Sequence, residues 1–138
     1  MCSGVEVDGR IITFADPAPE LPVLLRTGEV RWLPWGARHG RPSPWVAGTC
    51  ARLDSIRAGK WDRYRPAPVR IPVDRLMERD SRNRPYWARL APGQWLQGLV
   101  AHVGDEQRVY VVTVDTPSAY RHVSDRWPRV MGPAGDAV

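Results

Sequence analysis

Fourteen prolines spread through 138 residues constrain this chain more than any other feature. Each one fixes φ and lacks an amide hydrogen, so long helices have little room to run. The segments between them are short and read mostly as strands. Residues 5–14 (VEVDGRIITF) predict a hairpin turning at Asp8-Gly9. Residues 16–22 are a Pro-rich connection, and 23–33 repeat strand, turn, strand about Thr27-Gly28. The Gly/Pro-rich stretch 35–48 is expected to be a loop. A short helix is expected over 54–60, running towards Tyr64. Residues 69–73 predict a strand whose Pro72 puts it at an edge or a strand end. Residues 75–84 look like a polar turn, and strands follow at 86–90 and 96–102. The clearest strand is VYVVTV at 109–114, apolar and rich in β-branched residues. A helical turn is expected within 118–125.

Together these elements predict an α+β fold, mostly antiparallel β, with one or two short helices. A single domain is expected over 1–130, with a flexible C-terminal tail over 131–138. Apolar residues make up 43% and charged residues 25%, enough for a core without disulfide or metal staples. No apolar stretch is long enough to span a bilayer and no signal peptide is visible, so a cytoplasmic protein without a membrane partner is expected. The cysteines are Cys2 and Cys50 alone, and the histidines His39, His102 and His122 are scattered. That pattern supplies neither a disulfide framework nor a metal-ligand set, and no cofactor motif is present. The net charge of +5 is carried almost wholly by arginine, with Lys60 the single lysine. Planar guanidinium groups bind phosphate oxygens in pairs, so a nucleic-acid partner is favoured over a neutral one.

The first two residues carry the most specific chemistry. Removal of Met1 would leave Cys2 with a free α-amine and a thiol on one residue. The amine can condense with an aldehyde to an imine. The thiol can then add to the imine carbon and close a thiazolidine ring, a reaction no internal cysteine can perform. Further on stand Leu33 to Gly36 (LPWG), Cys50 to Ser55 (CARLDS), Val69 to Glu78 (VRIPVDRLME) and Val123 to Val130 (VSDRWPRV).

In this order the motifs resemble the SOS-response-associated peptidase (SRAP) family, over most of the chain from Met1 to Pro128. The resemblance implies a compact β-barrel-like fold, in a monomer that acts in the DNA damage response. It implies binding of single-stranded DNA and covalent attachment to abasic sites through Cys2. Carried over residue by residue, it makes Cys2 the nucleophile, Glu78 the carboxylate that moves protons beside the amine, and Arg52 a phosphate ligand. Asp125, Arg126 and Pro128 match the last motif, with Arg126 a further DNA contact. Cys50 stands where the family has Asn and Ser124 where it has His; His122, two residues earlier, is the candidate substitute if the segment is extended. In the 35–48 loop, Trp45 is a candidate for stacking on an unpaired base, flanked by Arg38 and Arg41. The alternative reading is a degenerate module of the same fold that binds nucleic acid or a protein without chemistry.

Overall fold

The computed structural model describes residues 2–40 and 42–133. Met1, Arg41 and most of the expected tail lie outside the described residues. The hairpin at the start forms as expected, from β1 (Cys2–Val7) and β2 (Arg10–Thr13). Asp8 and Gly9 both take positive φ, at 50° and 78°, the conformation a two-residue hairpin turn of matching twist requires. The second strand pair also forms, as β3 (Glu20–Leu24) and β4 (Val30–Pro34). β5 (Cys50–Arg52) leads into the helix α1 (Leu53–Arg57), and a 3-10 turn follows at Asp62–Tyr64. Then come β6 (Ala67–Ile71), β7 (Arg75–Arg79), β8 (Pro85–Arg89), β9 (Trp95–Val103) and β10 (Glu106–Asp115). A 3-10 turn at Ser118–Tyr120, β11 (Arg126–Pro128) and β12 (Val130–Met131) complete the described chain.

The strands form two sheets. One has four strands in the order β2-β1-β7-β8; the other runs β11-β10-β9-β6-β3-β4, with β5 paired to β10 and β12 to β9. Among the described residues all strand-to-strand pairings are antiparallel except that of β5 with β10. The barrel-like expectation is not met by a closed ring. A single bridge between Trp35 and Val109 brings the chain after β4 back to β10, and the sheet remains open there.

One segment differs from its sequence reading. Residues 75–79 are a central strand, not a turn, with Leu76, Met77 and Glu78 all buried. Its arginines disguised it: Arg75 bonds Glu6 through two contacts of 2.8 and 2.9 Å and lies over the Trp87 ring, so its charge is spent within the sheet. β6 lies inside its sheet, between β9 and β3, and ends at Ile71, so Pro72 stands at a strand end as expected and not at a sheet edge. It tolerates Pro68 and the following Pro72 because its register with β3 is limited to Leu24 and Arg70.

β10 explains where the core sits. Val109 and Val111 point to one side, Tyr110 and Val112 to the other, and all four are fully buried. The first pair joins a core between the two sheets with Val5, Leu21, Val23, Leu76 and Leu96. The second pair joins a smaller core with Trp45, Ala51, Trp61 and Leu99, under the 35–48 loop and α1. A strand covered on both faces reads as a continuous apolar run, which is why it was the most legible in the sequence.

Candidate functional site

The inter-sheet core holds a polar intrusion, built by a defect in strand pairing. β1 and β7 pair with Cys2 opposite Glu78, Gly4 opposite Met77 and Val5 opposite Leu76. Between Cys2 and Gly4 two steps on β1 match one step on β7, so Ser3 is the extra residue of a β-bulge. Side chains alternate along a regular strand, which would send Cys2 and Val5 to opposite faces. The bulge resets the alternation, and both residues are fully buried in the same core. On β7, Leu76 and Glu78 share that face by ordinary alternation. Cys2 and Glu78 are therefore neighbours inside the protein.

Burial dominates the electrostatics here. It raises the Glu78 carboxyl from 4.5 to about 7. It pushes the Cys2 thiol well above its ordinary value, and the nearby Cys50 and Glu78 add to that rise. The Cys2 sulfur donates to the Gly4 carbonyl at 3.6 Å.

Cys50 reaches the same place from the other sheet. Parallel pairing sets it beside Val111, whose side chain faces the inter-sheet core, and Cys50 packs against that core. Thr49 Oγ1 and Cys50 Sγ are 3.1 Å apart. Burial raises the Cys50 thiol, while hydrogen bonds from Thr49 and from the Cys2 backbone amide oppose the rise. Thr49 is anchored in turn, since its carbonyl accepts from Trp35 Nε1 at 3.2 Å and from the Val111 amide at 2.9 Å.

The structure brings some of the sequence-derived residues together and separates others. Arg52 follows Ala51 on β5 and pairs with Asp54 at 2.8 Å. This contact holds the Asp54 carboxyl well below the usual range. Arg126 packs nearby, where it bonds Asp115 at 2.8 Å and the Thr113 carbonyl at 2.9 Å. Thr113 is also the register partner of Arg52. The CARLDS and VSDRWPRV motifs thus converge on the end of β10.

His122 is exposed in the turn before β11, and its ring meets Tyr86 edge-on at 5.9 Å. Tyr86 is the cross-strand partner of Glu78 on β8. His122 lines an open cleft with Arg79, Asp80, Arg121 and Ser124. Ser124 accepts from the Arg126 amide at 3.3 Å.

Trp45 is a core residue and not an open stacking platform. It is 7% exposed, and the Arg108 guanidinium lies over its ring at 5.0 Å. Arg38 sits over Phe14 at 4.8 Å and donates to the Asp16 carbonyl. Arg41 lies outside the described residues. The exposed tryptophan is Trp32 on β4, with Arg10 beside it, which the sequence did not single out. Two contributors escaped the sequence reading altogether: the Ser3 bulge, and Tyr86 as the link between His122 and the Glu78 strand. No local sequence signal marks either one. Among the described residues no cluster of His, Cys, Asp or Glu could hold a metal ion, and no helix is long and apolar enough to cross a membrane.

No protein-family model matches the chain, and no curated protein matches it.

Proposed function

We propose that this chain is an SRAP-like protein that binds single-stranded DNA and captures the aldehyde of an abasic site. Cys2, made the first residue by removal of Met1, is the group that forms the bond. One observation carries the reading: the bulged pairing of β1 with β7 sets Cys2 opposite a buried glutamic acid poised at about 7.

The chemistry follows from those two residues. The Cys2 amine adds to the aldehyde carbon, and the resulting carbinolamine loses water to give the imine. A carboxyl poised near neutrality can protonate the departing hydroxyl and then, as carboxylate, take the thiol proton as sulfur attacks the imine carbon. The sum is aldehyde plus aminothiol giving thiazolidine plus water. The raised thiol keeps its proton until that last step, which favours amine attack first. Cys2 has no exposed surface, so capture requires the start of β1 to open. Arg52 and Arg126 at the end of β10, with the net charge of +5, suit the phosphates of the strand. His122 approaches the Glu78 strand through Tyr86 and is proposed as a secondary proton carrier.

The test is incubation of protein with a free Cys2 terminus with single-stranded DNA containing one abasic site, resolved on a denaturing gel. A band that resists denaturation and is lost in Cys2→Ala supports the reading. Its absence overturns it in favour of a fold that binds nucleic acid or a protein without chemistry.

A further inference from the structure

The chain has two cysteines, on different sheets and 48 positions apart, and the fold delivers both to one point of the core. Cys2 comes from the bulged end of β1, and Cys50 from the first residue of β5. The contact between them is direct: the Cys2 backbone amide donates to the Cys50 sulfur. That nitrogen is two bonds from the Cys2 β-carbon, so the Cys50 sulfur sits beside the residue that carries the other thiol. The Cys2 sulfur currently points along its own strand to the Gly4 carbonyl. A bond to Cys50 would replace that weak contact.

We propose that Cys2 and Cys50 form an intramolecular disulfide under oxidation, and that this bond is a reversible latch on the Cys2 thiol. Cys50 is the half-buried member of the pair and meets the oxidant first. With a peroxide, its sulfur takes one oxygen to become a sulfenic acid, and the peroxide's other oxygen leaves as water. The Cys2 sulfur then attacks the Cys50 sulfur and expels a second water. Each cysteine loses one hydrogen, and the peroxide is reduced. A dithiol reductant reverses the bond by exchange through a mixed disulfide. Burial keeps both thiols protonated, so oxidation speeds up as pH rises. The bond also ties the two sheets together across their shared core.

The latch itself needs no abasic-site chemistry. Its consequence for activity rests on the function proposed above. With the thiol consumed, the Cys2 amine could still form an imine but could not close the ring, so capture would stop at a reversible stage.

The experiment treats the full chain with hydrogen peroxide at low protein concentration and reads intact mass, thiol alkylation and a proteolytic map. The expected result is a monomer lighter by two hydrogens, resistant to iodoacetamide under denaturing conditions, with a Cys2–Cys50 linked peptide that disappears on reduction. Cys50→Ser and Cys50→Ala should both lose the mass change and regain alkylation at Cys2. Accumulation of sulfinic acid at either cysteine without the linked peptide overturns the proposal. So does a disulfide found only between two chains on a non-reducing gel. A separate arm gives reduced protein abasic DNA. If the linked peptide forms but reduced protein makes no adduct, the latch stands and the proposed function fails. If reduced protein makes an adduct but no linked peptide forms, the function stands and the latch fails.

Discussion

Glu78→Gln separates the cost of ionising this carboxyl from everything else in the core. The side chain has no exposed surface, and burial holds its carboxyl at about 7 against 4.5 for an ordinary glutamate. Between those values the folded chain binds more protons than the unfolded chain. Stability is therefore fully present below the unfolded value and is lost as pH rises through the folded one. The separation from 4.5 to about 7 corresponds to roughly 3 kcal/mol in all. About 2.5 kcal/mol of it falls between about pH 5 and pH 8, from the two-proton-affinity linkage relation. Glutamine keeps the volume and cannot ionise. Urea unfolding at several pH values should show the native chain losing about 2.5 kcal/mol more than the variant over that interval. Groups that do not interact with Glu78 cancel in the difference. If the two stability curves fall in parallel, Glu78 is not buried in the acid form, and the site as described is wrong.

Three further outcomes follow from particular contacts. Gly36→Ala would place a Cβ 2.0 Å from the Gly48 carbonyl at a residue whose φ is +58°. It should cost at least about 3 kcal/mol in chemical denaturation, and an unchanged midpoint would contradict the close approach that fixes this loop. Trp45→Ala should cost about 3–5 kcal/mol of stability without changing the salt dependence of single-stranded DNA binding; a stable variant that binds weakly would restore the stacking role. Arg52→Ala removes an exposed pair and should leave the unfolding midpoint where it is. Titration of single-stranded DNA at several salt concentrations should then show weaker binding and a salt slope smaller by about one; identical slopes would remove Arg52 from the phosphate contacts.

Much of the strand pattern was legible because local chemistry decides it. Asp8-Gly9 specifies its turn, and the apolar run at 109–114 specifies a strand covered on both faces. The strand at Arg75–Arg79 was illegible because its arginines look solvated until Glu6 and Trp87 are brought to them by pairing. Glu78 read alone would be a surface carboxylate, and its burial is a tertiary fact. The same holds for Cys2. Its inward direction depends on one extra residue in β1, and no residue type announces a bulge at Ser3. Trp45 misled for the opposite reason, since a Gly/Pro-rich loop suggests exposure while this one folds down over the second core. The meeting of Cys50 with Cys2 needed the topology that sets β5 against β10.

The proposed covalent bond between Cys2 and an abasic site has a direct readout in intact mass. Protein of confirmed Cys2 terminus is incubated with single-stranded DNA carrying one abasic site, denatured and weighed, with Cys2→Ala alongside. The expected product is a species equal to protein plus DNA less one water, absent from the alanine variant. Unmodified protein and DNA recovered separately, from reduced protein with a free Cys2 amine, would contradict it.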